Sequence, residues 1–189
     1  MSDVPAGLVF GTAGDADAPA LAELQRRVAE TLTSRYGEGH WSGAGTENGV
    51  RGRIRQSTVL TVRQGPSIVA SATLQKKKPW AIDRSCLTPV ERRVYLLNMA
   101  VAPALQGRGI GRRLLDHAVQ VASSMGFESI VLDAYDAAAG AGGFYARCGF
   151  LEVGRREYRG VPLIYYERLL DYGTEGGSSP CSLVISPSH

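Results

Sequence analysis

Apolar positions along the chain switch between two periods. Leu8, Val9 and Phe10 open with a short strand-like run. Leu21, Leu24, Val28 and Leu32 then recur at three- and four-residue spacing, which predicts a helix running to about Tyr36. Asp15 and Asp17 are its N-cap candidates, and Pro19 suits its first turn. Gly37, Gly39, Gly43 and Gly45 break the pattern, so 37–49 reads as a mobile loop carrying His40 and Trp41. A short helix is expected over 50–56, with Arg51, Arg53 and Arg55 alternating along it.

Two strands follow over 58–62 and 68–74, joined by a hairpin turn at Gln64-Gly65-Pro66-Ser67. Residues 76–93 form an irregular insertion with two prolines and Trp80. The run 94–101 is the most strand-like in the chain. Beyond a glycine-rich turn, Leu114, Leu115, Ala118, Val121, Ala122 and Met125 mark one face of a helix over 110–125. A buried strand over 129–132, a short helix over 140–148 around Phe144 and Tyr145, and strands over 150–158 and 163–169 complete the pattern. Strands outnumber helices and the two are interspersed, which predicts an α/β domain with one central sheet. From Gly173 the composition turns to Gly, Ser and Pro, so 171–189 is expected to be a disordered C-terminal tail.

Length and charge narrow the function. The 189 residues fit one domain plus a tail, and 44% hydrophobic content fills a core. A net charge of +3 suits a small anionic ligand and falls short of the basic stripe of a nucleic-acid-binding protein. No apolar run is long enough to span a bilayer, and the N-terminus lacks a secretory pattern. Cys86, Cys148 and Cys181 make neither a disulfide framework nor a metal pattern. The expectation is a cytoplasmic protein with reduced thiols, binding no nucleic acid, membrane or metal.

The informative stretch is Val101-Ala102-Pro103-Ala104-Leu105-Gln106-Gly107-Arg108-Gly109-Ile110-Gly111-Arg112, a strand entering a glycine turn that opens a helix. Glycines admit a ligand close to the backbone. The first helical amides lack intrahelical acceptors and sit at the positive end of the dipole. That combination cradles a pyrophosphate, with Arg108, Arg112 and Arg113 nearby. A Walker loop fits less well, because Arg112-Arg113 stands where Lys-Ser/Thr is required. The alternating glycines also miss the dinucleotide spacing, although Asp133 does end the next strand, as that alternative requires.

Gln106-Gly107-Arg108-Gly109-Ile110-Gly111 resembles the Q/R-x-x-G-x-G/A signature of the GNAT acetyltransferases. Met99-Ala100-Val101-Ala102-Pro103 is similar to the strand and Val-x-Pro exit before it. Gly143-Phe144-Tyr145-Ala146-Arg147-Cys148-Gly149-Phe150 looks like that family's FYxxxGF element. The resemblance spans 8–170 and implies a mixed, mostly antiparallel sheet flanked by helices. It further implies an N-acetyltransferase using acetyl-CoA as cosubstrate and a primary amine, small-molecule or peptide, as acceptor. By position it assigns the pyrophosphate to Gln106, Gly107, Arg108, Gly109, Ile110, Gly111 and Arg112. Met99, Ala100 and Val101 fall to the pantetheine arm, with the Met99 amide near the thioester oxygen, and Tyr145 falls to protonation of the leaving thiolate.

The sequence departs from the family in two places. Ala138 stands where many members carry Asn, with Asp136 as the nearest polar substitute. Leu97 and Asn98 stand where many carry a glutamate base, so Asp133 is the candidate proton sink, through water oriented by Asn98 or Tyr95. Asp136 otherwise reads as a helix cap. His40, Trp41, Trp80, Tyr95 and Asn98 are the acceptor-pocket candidates. Arg51, Arg53, Arg55 and 76–78 read mostly as solvated surface, and His117 as structural or exposed. The alternative is a non-catalytic acyl-CoA sensor of the same fold. Acceptor identity and assembly as a homodimer stay open.

Overall fold

The computed structural model describes Pro5, residues 7–43 and residues 45–170. The tail expected over 171–189 lies outside the described residues.

Seven strands form one sheet: β1 (Leu8–Thr12), β2 (Thr58–Gln64), β3 (Ser67–Gln75), β4 (Arg93–Val101), β5 (Ser129–Tyr135), β6 (Leu151–Tyr158) and β7 (Val161–Leu169). Their order is β1-β2-β3-β4-β5-β7-β6. All neighbours run antiparallel except β4 and β5, which run parallel. The helices are α1 (Ala18–Tyr36), α2 (Glu47–Gln56), α3 (Ile110–Ser124) and α4 (Gly142–Arg147). No described helix is long and apolar enough to cross a membrane.

Each sheet face buries a helix stripe. On one face Ile110, Leu114, Leu115, Ala118 and Ala122 of α3 pack on alternate residues of β2 to β5. On the other, Leu21 and Leu24 of α1 and Val50 of α2 pack on Val59, Ile68 and Ala100. The helix expected over 50–56 begins earlier, at Glu47, because Thr46 caps it by accepting the Gly49 N–H at 3.2 Å. The insertion before β4 covers the end of the sheet with Ile82 and Leu87. It is tied down where Tyr165 donates to the Ala81 carbonyl and where the buried Glu167 carboxylate accepts the Thr88 N–H at 2.9 Å.

One departure from a regular sheet organises the rest. β4 and β5 pair only through Arg93, Val94 and Tyr95 against Ser129, Ile130 and Val131. Beyond Tyr95 the two strands have no ladder between them. The register of β3 against β4 shifts here, with Ser71 opposite Ala100 but Thr73 opposite Leu97, so β4 carries one extra residue. Such a bulge bends its strand and adds twist. The bulge contains Asn98, whose φ of 51° lies in the left-handed region that Asn tolerates better than other non-glycine residues.

Asn98→Val forces a β-branched side chain into that conformation and is expected to cost about 1–3 kcal/mol. Asn98→Gly should be nearly neutral. Urea denaturation of the three proteins checks this ordering.

Candidate active site

The gap between β4 and β5 is a cavity of about 690 Å³. Leu96, Leu97, Asn98, Met99 and Ala100 form one wall, and Asp133, Ala134 and Tyr135 of β5 face them. Val28, Ala29 and Leu32 of α1, with the loop after that helix, close the outer side. The loop has defined structure. Trp41 Nε1 donates to the Gly37 carbonyl at 3.1 Å, and Thr33 Oγ1 donates to Ser42 Oγ at 2.7 Å. Trp41 meets the Tyr135 ring edge-on at 5.6 Å, and His40 stacks on the same ring at 6.3 Å.

The unpaired edge of β4 supplies backbone groups. Ala102 donates to Val69 on the β3 side at 2.8 Å, so strand alternation turns Val101, and Met99 before it, toward the β5 side. The Val101 carbonyl accepts from Gln106 Nε2 at 3.1 Å. The strand leads through Pro103 into the glycine turn, where Gly107 and Gly109 both have φ of 76°. Gly109 is the N-cap of α3 and brings no side-chain cap. The first amides of α3 are therefore left for an external acceptor. Gly111 serves packing as well, since a Cβ there would lie 3.2 Å from Phe144 and 3.4 Å from Met99. Arg112 donates to the Arg147 carbonyl at 3.2 Å, joining α3 to α4.

Tyr145, from α4, sits at the inner end of the cavity. Its ring packs against Phe144, Phe150 and Tyr166 at 5.3, 6.1 and 6.0 Å. Its hydroxyl reaches only the weakly accepting Met99 sulfur, at 3.8 Å. Burial, followed by the nearby charges of Asp133 and Cys148, pushes the phenol above its ordinary pKa, so it keeps its proton throughout the neutral range. Burial likewise raises the Asp133 carboxyl above the usual carboxylate range. No side chain among the described residues bonds or pairs with that carboxyl.

A model of the acetyltransferase (GNAT) family matches residues 26–150, more than half of the chain. The chain belongs to the GNAT acetyltransferase family. Its fold is shared by solved structures at low sequence identity. The ribosomal-protein-S18-alanine N-acetyltransferase of Escherichia coli is 19% identical, with a TM-score of 0.66 over 91% of this chain and 99% of that one. A GNAT acetyltransferase of Listeria monocytogenes is 19% identical, with a TM-score of 0.69 over 88% and 99%. The yncA protein of Salmonella typhimurium, solved with its cofactor acetyl-CoA, is 17% identical, with a TM-score of 0.66 over 94% and 99%. No curated protein sequence is significantly similar.

Of the residues singled out in the sequence, Met99, Ala100, Asn98, Asp133, Tyr145, His40 and Trp41 all line the cavity. Asp133 does so from within β5, because that strand continues past its expected end at 132 to Tyr135. Two acceptor candidates are elsewhere. Tyr95 is 1% exposed and packs with Ile82 and Leu87 of the insertion, where Arg84 donates to its hydroxyl at 3.4 Å, and it does not line the cavity. Trp80 is 83% exposed and does not line the cavity. Asp136 caps no helix and pairs with Arg155 at 2.6 Å. Arg53, Gln25 and Tyr135 line the cavity and were missed. Arg53 had a signal in its helical phase, half a turn from Arg51 and Arg55.

Because the Asp133 carboxyl is raised, the folded state binds its proton more tightly than the unfolded chain. The stabilising contribution is complete at low pH and is lost as pH rises from the ordinary carboxylate range through the raised value. Asp133→Asn is therefore expected to melt higher than the parent at neutral pH, with the difference vanishing toward acid. Calorimetric melting from pH 3 to 8 tests the sign.

Proposed function

We propose that this chain transfers an acetyl group from acetyl-CoA to a primary amine by direct attack, with no covalent enzyme intermediate. The observation that carries the reading is the unpaired edge of β4 leading from the cavity to uncapped amides at the start of α3. An extended pantetheine arm suits that edge as an added strand along Met99, Ala100 and Val101. A pyrophosphate suits Gln106 through Arg112, where amides and helix dipole favour an anion.

The chemistry assigns one task to each group. Amine attack places negative charge on the carbonyl oxygen, and the Met99 amide is the donor proposed to stabilise it. As the C–N bond forms and the C–S bond breaks, Tyr145 gives its hydroxyl proton to the departing sulfur. A phenol above its ordinary pKa is reliably protonated for this step. The attacking nitrogen loses a proton to water and then to Asp133, whose raised pKa makes it a better acceptor than an ordinary carboxylate. Asn98, on the cavity wall, is proposed to orient that water.

Thiol release from acetyl-CoA across an amine panel tests the reading. Saturable CoA binding without thiol release would favour the non-catalytic alternative. Tyr145→Phe is expected to lower kcat by roughly 10- to 1,000-fold with little change in CoA affinity. An unaltered kcat, with chemistry limiting, would remove the acid role. Asp133→Asn is expected to lower kcat/KM and to move the rise of rate with pH upward, since deprotonation then depends on the amine itself. A parental pH profile would leave selection of the neutral amine as the simpler account.

A further inference from the structure

Helix α2 carries three arginines with different fates. Arg51 pairs with Glu47, and Arg55 with Asp15 at 2.8 Å. Arg53, on the opposite side of the helix, lines the cavity. It has no carboxylate partner among the described residues and makes one long hydrogen bond, 3.4 Å to Gln25 Oε1. Gly45 presses against this pair, since a Cβ there would lie 3.0 Å from both Arg53 Nη2 and Gln25 Oε1. The guanidinium is half-buried, and desolvation lowers its pKa from the ordinary arginine value while leaving it charged at neutral pH.

Asp133 lies on the β5 wall of the same cavity, also without a charged partner among the described residues. Two opposite charges thus face one cavity, and neither is neutralised by a charged side chain among the described residues. Unpaired, desolvated charges are costly to a fold. A ligand carrying both complementary charges offsets that cost at both ends. The planar guanidinium matches a carboxylate bidentately. Val28 and Leu32, with Trp41 and Tyr135, add apolar and aromatic lining.

We infer that the acceptor is a primary amine bearing a carboxylate, an amino acid with an apolar side chain, whose carboxylate is held by Arg53 while its amine faces Asp133. The inference rests on the acetyl-transfer reading and specifies its substrate class.

The test compares phenylalanine with phenethylamine, which share the amine and the ring and differ by the carboxylate. With the parent protein and acetyl-CoA, kcat/KM is expected to favour phenylalanine by at least 10-fold. Arg53→Gln should reduce that preference by roughly 10- to 100-fold, the range of charge-assisted hydrogen bonds, mainly through KM. Arg53→Lys should restore part of it. Arg55→Gln, on the outer side of the same helix, should leave the preference as it is. Equal use of both amines by the parent, or an unchanged preference in a folded Arg53→Gln, overturns the inference while acetyl transfer stands. No turnover of any amine sinks the acetyl-transfer reading instead. Calorimetry on the CoA-loaded protein then decides the Arg53 assignment. Binding of phenylalanine but not phenethylamine, lost in Arg53→Gln, upholds it, and failure of phenylalanine to bind overturns it.

Discussion

Backbone amides and carbonyls removed from water must find partners, and along most of this sheet the neighbouring strand provides them. Between β4 and β5 that provision stops after three residue pairs. The extra residue at Asn98 bends β4 away, and β5 turns instead to β7, with which it pairs along its whole length. The result is an interior strand with one edge unpaired from Leu96 onward. The cavity, the access to the Met99 and Val101 backbone, and the run into the glycine turn all follow from this broken ladder.

The opening also fixes the electrostatics. It lies between the two faces of a packed sheet, so groups pointing into it lose water without gaining protein partners. Tyr145 is held by three aromatic rings and keeps a hydroxyl with only a thioether beside it. Asp133 and Arg53 have no ion-pair partner among the described residues in the same space. Elsewhere the molecule pairs its charges freely, as with Arg63 and Asp17 at 2.6 Å or Arg93 and the buried Glu167 at 3.5 Å. Charges left unneutralised at one cavity are stability given up where a ligand is expected to restore it.

Much of this was legible in the sequence because it is local. The apolar stripe of α3, the β2–β3 hairpin and the glycine turn depend on residues close together in the chain, and each appears where its pattern predicts. Two motifs in the right order, one around Gly107 to Gly111 and one around Phe144 and Tyr145, were enough to point to the family whose model matches the chain.

The membership of the cavity was another matter. Tyr95 and Asn98 lie three residues apart on one strand, yet Asn98, within the bulge, lines the cavity while Tyr95, in the regular part of the strand before it, packs among the residues of the insertion. Arg53 resembles Arg51 and Arg55 in sequence and differs from them only in which side of α2 meets the sheet. The sequence by itself determined the elements, the glycine turn and the family, because those rest on short-range periodicity and backbone chemistry. Only the tertiary structure decided which side chains face the opening, because that depends on one bulge and on how α1, α2 and β5 pack around it.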